Sequence, residues 1–413
     1  MIGQNCIETT NCLHNISLSV KNDLENSLND DYSLLNGSIG KLLFLVNYWV
    51  YDGKKNRSIE ATINTVSLAL FKSLEKGEIR GISFSYGLAG YSWIFKYLQD
   101  YFPLDFSVDM TQIDDITIDA MMSDLDNEDF MDSLHGKLGV INSLFNPHKI
   151  FDYKLQICIE SIVSNIHTLF NIPANYQDEC QFDHQKFMRK NRKSYDFGMA
   201  HGICGTIVFL CRVLHSGSIK SEKLLLTVKF LTKFLVANKL ENGTYPHKIM
   251  DGVVNGAGRQ AWCYGDLCVA YALLQSGKVC SNNYFLAQSE LILRRCVSAM
   301  LTNVGVENDQ KGNFDAGLCH GSAGLYILYN SFANDFSFVK DMRDTWYRIT
   351  VKQVENNIKS GYFYRENVNL EKSLNGININ NGFLYGYAGI GLAIISGCDE
   401  KYNSWTQVLN LNN

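Results

Sequence analysis

Apolar residues along this chain fall into two kinds of segment. Some segments are apolar nearly all round, such as Gly205-Thr-Ile-Val-Phe-Leu-Cys-Arg-Val-Leu214 and Gly324-Leu-Tyr-Ile-Leu-Tyr329, and 383–398 is the most apolar run. A helix with no polar face is a buried helix. Others are amphipathic: over 221–238, Leu224, Val228, Leu231 and Leu235 share one face while Lys223, Lys229 and Lys233 lie elsewhere. That spacing predicts a helix half open to water. The pattern therefore predicts inner, buried helices alternating with outer, amphipathic ones.

A short signature marks where each inner helix begins. An aromatic residue, His or Asn followed by Gly-x-x-Gly, with Cys in the last place of the fifth, recurs at Asn36-Gly-Ser-Ile-Gly40, Tyr86-Gly-Leu-Ala-Gly90, His135-Gly-Lys-Leu-Gly139, His201-Gly-Ile-Cys-Gly205, Tyr264-Gly-Asp-Leu-Cys268, His320-Gly-Ser-Ala-Gly324 and Tyr385-Gly-Tyr-Ala-Gly389. First positions are 50, 49, 66, 63, 56 and 65 residues apart, room for two helices each time. A period of this length signals an array of supersecondary units. Inner and outer helices repeated seven times can close into a ring, which buries one continuous core and leaves no repeat end exposed. We expect an all-α fold, an α/α toroid of seven helical hairpins with inner and outer rings, forming a single domain over 1–413. The seven station residues would then gather at one mouth of the central cavity. The stretch 146–195 carries Asn146-Pro147, Pro173 and the basic run Lys186 to Lys193. It reads as a peripheral loop or small insertion near a peptide-binding surface, or else as a solvated outer face.

Composition narrows the function. At 413 residues the chain is long for one ordinary core, and a closed ring escapes that limit. Apolar residues make up 46% and charged residues 19%, a globular balance. The net charge of −5 gives no basic footprint, which excludes nucleic acid as the main partner. Four prolines suit a helical fold with few extended linkers. Met1 to Cys6 shows no basic region followed by an apolar stretch. The run 383–398 falls short of the roughly 20 residues needed to span a bilayer. We therefore expect a cytoplasmic protein without a membrane span, whose twelve cysteines are reduced thiols. Cys158, Cys211 and Cys296 sit among apolar neighbours and serve as small hydrophobes.

Three other thiol and imidazole groups stand apart. Cys263 precedes the fifth station in Trp262-Cys263-Tyr264-Gly265-Asp266, Cys319 precedes the sixth, and His320 occupies it. A lone cysteine before a buried helix is ordinarily packing. Two cysteines and a histidine at matching places in adjacent repeats suggest a zinc site with its fourth tetrahedral position open, the arrangement of a catalytic metal.

These two segments, the His-Gly at 201 and the seven stations resemble the lanthionine synthetase C family, the lanthipeptide cyclases, over nearly the whole chain. The resemblance implies an α/α toroid with one zinc ion held by Cys263, Cys319 and His320. It implies closure of thioether rings by adding peptide cysteine thiols to dehydroalanine or dehydrobutyrine. By position, the family's catalytic histidine falls on His201 and its aspartate on Asp132. The family's arginine before the first zinc cysteine falls on Arg259, and the tyrosine after that cysteine on Tyr264. His201 is then the proton carrier, with helix capping as its rival role. Asp132 either orients His201 or caps a helix, Arg259 either stabilises an enolate or pairs a carboxylate, and Tyr264 either acts or packs the ring. The implied partners are a dehydrated precursor peptide with its leader, a separate dehydratase and an exporter complex, which would bring the protein to the membrane surface. Leu267-Cys268 stands where many relatives have Pro-Gly, adding a thiol near the metal. Other readings remain: a glycoside hydrolase using Asp132 and Asp266, a zinc-dependent prenyltransferase, and a relative that binds zinc and thiols without turnover.

Overall fold

The protein, a computed structural model, is described over residues 2–27, 31–123, 130–146, 153–173, 176, 194–299, 315–360 and 380–411. The apolar segments form seven helices: α2 (Ser38–Tyr51), α4 (Leu88–Tyr101), α6 (Lys137–Leu144), α8 (Ile203–Ser216), α10 (Asp266–Val279), α12 (Ser322–Phe332) and α14 (Tyr387–Cys398). The amphipathic ones form α1 (Ile2–Asn26), α3 (Arg57–Glu75), α5 (Met110–Met122), α7 (Tyr153–Leu169), α9 (Glu222–Ala237), α11 (Asn283–Ser298) and α13 (Lys340–Ser360). Burial follows the sequence pattern. In α2, Leu42, Leu43, Phe44 and Leu45 are all fully buried although they point in every direction, so this helix is enclosed on all sides.

The two sets of helices begin differently. Four of the outer helices, α3, α5, α9 and α11, use side-chain caps, as where Ser221 accepts from Leu224 N and Asn56 from Ile59 N, satisfying amides that helix geometry leaves orphaned. Each inner helix instead has glycine at its N-cap and no side-chain cap. The preceding turn folds back and offers backbone carbonyls, as in Ser38 N to Asp31 O, Asp266 N to Arg259 O, Ser322 N to Asp315 O and Tyr387 N to Asn380 O. This close return explains the second station glycine, because a Cβ on Gly205 would stand 2.1 Å from Met199 O.

Backbone hydrogen bonds join these turns into a closed circuit. Leu34 N donates to Ser85 O (2.7 Å), Ser85 N to Leu134 O (2.9 Å), Ser133 N to Ala200 O (2.8 Å) and Met199 N to Cys263 O (3.0 Å). Cys263 N then donates to Cys319 O (3.2 Å), Cys319 N to Leu384 O (3.1 Å) and Leu384 N to Leu35 O (3.1 Å), which returns to the first turn. The inner helices start from this ring, and α14 packs on both α2 and α12, so the toroid expected from the repeat closes.

Two features were not expected. A three-stranded antiparallel sheet joins β1 (Tyr195–Asp196), β2 (Pro246–Met250) and β3 (Val253–Ala257). Its hairpin turns at Asp251-Gly252, where both residues have positive φ, the geometry of a tight two-residue loop. The chain end also runs up inside the ring. Ser404, beyond α14, bonds Tyr97 and Tyr101 near the far end of α4. Further on, Leu409 O accepts from Trp262 Nε1 and Asn410 Nδ2 donates to Gly205 O at the station end. Trp405, Leu409 and Leu411 are buried, so this segment fills the ring interior behind the stations.

Within 146–195, residues 153–169 form the outer helix α7, packed on α5, α6 and α9. The basic run Lys186 to Lys193 lies outside the described residues. No helix among the described residues is long and apolar enough to cross a membrane.

Candidate active site

The ring of turns places the station side chains around one mouth. Asn36, Tyr86 and His135 are exposed, and His201, Tyr264, His320 and Tyr385 half-buried, while the glycines after them are buried. Their aromatic rings run in series. Tyr86 stacks on His135 (5.8 Å between centroids), His135 on His201 (5.8 Å, 11° between planes), and Tyr264 lies 6.4 Å from His201 and 5.6 Å from His247.

His201 and Asp132 are brought together. His201 Nδ1 stands 2.7 Å from Asp132 Oδ2, while Asp132 Oδ1 accepts from the amides of Leu134 and His135, each at 2.7 Å. Burial opposes the charge on both groups. For His201 the hydrogen bond to Asp132 and its charge outweigh burial and raise the ring's pKa, while for Asp132 the bonds from His201, His135 and Leu134 outweigh it and lower the carboxyl. An ionised carboxylate only accepts, so His201 donates through Nδ1 and Nε2 is the nitrogen left for proton transfer. Asp132 is thus both a turn cap and an orienting group, and the two readings of it are compatible.

Cys263, Cys319 and His320 meet at the adjacent turns. The thiols of Cys263 and Cys319 are hydrogen-bonded to each other, and both residues are nearly buried, at 7% and 5% exposure. The bond from Cys319, with His320 and Arg259 nearby, draws Cys263 down to about 7, and the charge so placed holds Cys319 well above the ordinary thiol value. The Tyr385 hydroxyl also bonds Cys319, and its ring lies 5.6 Å from His320. His320 Nδ1 lies 2.9 Å from Asp315 Oδ2. Among the described residues no three His, Cys, Asp or Glu side chains are drawn up in ready-made coordinating geometry. These three are nonetheless the groups here with the soft and borderline donors that zinc takes.

Arg259 lies close enough to Cys263, His320 and His247 to shift them by its charge. Its carbonyl caps α10, and Gly265 makes that possible. Gly265 has φ +116°, and a Cβ there would stand 1.8 Å from Arg259 O. Replacing Gly265 with alanine should therefore cost at least about 2 kcal/mol of stability, read as a lower midpoint in chemical denaturation. Tyr264 is tethered: its hydroxyl donates to Asp196 Oδ2 (2.9 Å), the oxygen that Lys248 also reaches at 2.9 Å. Burial and that carboxylate raise the phenol's pKa, which fits an oriented hydrogen-bonding group and not a base.

Two sequence-based alternatives are resolved by position. Cys268 is fully buried in α10 and donates to Trp262 O (2.8 Å) and Ala261 O (3.1 Å). Its thiol meets the carbonyl six residues back, the approach that glycine accommodates in the other repeats, and α10 starts differently from the other six inner helices, with its N-cap Gly265 at φ +116° where theirs are extended. Asp266 is turned away from the mouth, accepting from Tyr245 N (2.9 Å) and pairing with Arg295 (2.6 Å). The carboxylate pair needed for glycoside hydrolysis is therefore not assembled.

Asp196, Lys248, Asp315 and Tyr385 are site residues that the sequence reading passed over. A signal existed for the two aspartates. An Asp or Asn lies six residues before the station glycine at Asp31, Asp196, Asp315 and Asn380, and each accepts from the amide two residues on.

Comparison with known proteins bears on the family and the fold. Residues 29–410 match the family described as lanthionine synthetase C-like protein. The nisin biosynthesis protein NisC of Lactococcus lactis subsp. lactis is 25% identical over 299 residues, covering 68% of this chain and 64% of that protein. The matched region thus spans somewhat under two thirds of that relative's length. A solved structure of a nisin cyclase superposes with a TM-score of 0.70 at 18% identity, over 96% of this chain and 97% of that one. The chain belongs to the lanthionine synthetase C-like family.

Proposed function

We propose that this protein is a zinc-dependent lanthipeptide cyclase that adds peptide cysteine thiols to dehydroalanine or dehydrobutyrine, forming lanthionine or methyllanthionine. The carrying observation is the convergence, on hydrogen-bonded neighbouring turns, of Cys263, Cys319 and His320 beside the Asp132–His201 pair. Kinship to proteins named for nisin biosynthesis and nisin cyclisation supports the same reading.

In this mechanism Cys263, Cys319 and His320 would hold zinc through two sulfurs and one imidazole nitrogen. When bound, zinc lowers the pKa of a coordinated thiol so that a thiolate is available at neutral pH. The substrate sulfur adds to the β-carbon of the dehydro residue, and the displaced electron pair passes to the α-carbon and its carbonyl. The α-carbon then takes one proton, balancing the one lost by the thiol. His201 moves that proton through Nε2, with Asp132 fixing the ring and stabilising its charged form. Arg259 sets a positive charge beside the developing enolate. A dehydrated, leader-bearing precursor peptide is the proposed substrate, prepared by a separate dehydratase, with an exporter complex as a further partner.

Addition leaves the peptide mass unchanged, so the test counts thiols. Zinc-loaded protein is incubated with a peptide carrying cysteine and dehydroalanine, then alkylated and analysed by mass spectrometry. Loss of alkylatable cysteine is expected. Zinc and peptide binding with every thiol still alkylated would replace the cyclase reading with a binding module.

A further inference from the structure

We propose that Asp315 is a positioning residue for the metal, fixing the His320 ring in the tautomer and orientation that make Nε2 the coordinating nitrogen. This rests on the zinc reading above. Asp315 is 2% exposed and held at three points. Its Oδ1 accepts from Gly317 N (2.8 Å), its backbone carbonyl caps α12 through Ser322 N (2.8 Å), and its Oδ2 lies 2.9 Å from His320 Nδ1.

The repeat separates the two jobs of this carboxylate. The same turn forms at Asn380, whose Oδ1 accepts from Gly382 N (2.9 Å), so an amide oxygen suffices for the turn. The charge at 315 is therefore not spent on the turn, and the second oxygen shows where it falls. At Asp31 that oxygen bonds, among the described residues, the neighbouring Ser33 hydroxyl (3.0 Å), at Asp196 it orients Tyr264, and at Asp315 it lies against the imidazole. With a carboxylate oxygen 2.9 Å from Nδ1, a proton on that nitrogen is favoured over a lone pair facing the charge, which leaves the lone pair on Nε2. A histidine whose other nitrogen donates to a carboxylate is held in place and is a more basic ligand.

Asp315→Asn keeps the turn and removes the acceptor, and Asp31→Asn makes the same change in a turn with no ring partner. Zinc affinity is measured by competition with a chromophoric chelator, and the fold by circular dichroism and thermal melting of the metal-free proteins. Asp315→Asn should weaken zinc about 10- to 100-fold with helicity and melting kept, while Asp31→Asn matches wild type. Unchanged affinity in Asp315→Asn, or equal weakening in both variants, would overturn the proposal. Long-range proton–nitrogen correlation on histidine-labelled metal-free protein, at a pH where the ring is neutral, reads the tautomer without zinc. Nδ1–H is expected in wild type, and Nε2–H would overturn the proposal. Wild type that binds no zinc but shows Nδ1–H would remove the zinc reading and leave the Asp315–His320 contact standing.

Discussion

Replacing Cys319 with alanine is expected to abolish zinc binding and thioether formation together while leaving the toroid folded. The backbone of Cys319 holds its turn in the ring: its carbonyl accepts from Trp262 N and Cys263 N, and its amide donates to Leu384 O. Alanine keeps all of those bonds and removes only the sulfur. Two ligands then remain, so the loss in zinc affinity should exceed the roughly 100-fold that follows mutation of an outer partner. Cyclisation should fall to background because Cys263 and His320 alone do not fix a metal in place. Elemental analysis, thiol counting and circular dichroism on one preparation check all three points. One zinc per chain in the variant would sink the assignment. Cys268→Ala is the matched control, since that thiol is spent on two backbone carbonyls, and it should keep full zinc.

The difference between Cys268 and Cys319 shows what could be read from sequence. Both thiols sit near a station, and both are nearly buried. Their separation by function needs the turn geometry, since one points at carbonyls within its own turn and the other at a thiol from the neighbouring repeat. The seven inner helices were legible because burial on all sides leaves an uninterrupted apolar signal. The ring was legible because the Gly-x-x-Gly signature follows from a close local backbone contact, which Cys268 alone among the seven stations meets with a side chain. Asp196 was not, because it works through its second oxygen, whose partners are chosen by tertiary placement: Tyr264 comes from the next repeat and Lys248 from β2. Asp315 meets His320 of its own turn, but only the folded turn points that second oxygen toward the ring. The chain end escaped for a related reason. Ser404–Leu409 is a 3-10 helix of only six residues, too short to set up a lasting period in the sequence, and its burial depends on the hollow that other segments create.

His201→Ala should keep zinc and fold yet lower cyclisation by about 10²- to 10⁴-fold, the range for a lost acid or base group. The pH dependence distinguishes this role from simple capping. His201 is raised above its ordinary 6.5 and Asp132 is lowered below its ordinary 3.8. The stability each gains follows from those directions. The histidine's share is full below 6.5 and is lost as pH rises through its raised value, and the aspartate's share is full above 3.8 and is lost as pH falls through its lowered value. The charged pair therefore persists across the intervening range, and a step that needs the imidazolium should slow on the alkaline side of His201's raised pKa. Asp132→Asn removes the charge that holds the ring's pKa up, and burial, which pulls it down, then dominates. The alkaline limb of cyclisation should move to lower pH in Asp132→Asn, with zinc content unchanged. A capping role for His201 predicts lower stability but no displaced limb. Thiol counting across pH on wild type and Asp132→Asn decides between them, since an unmoved limb would take His201 out of the proton path.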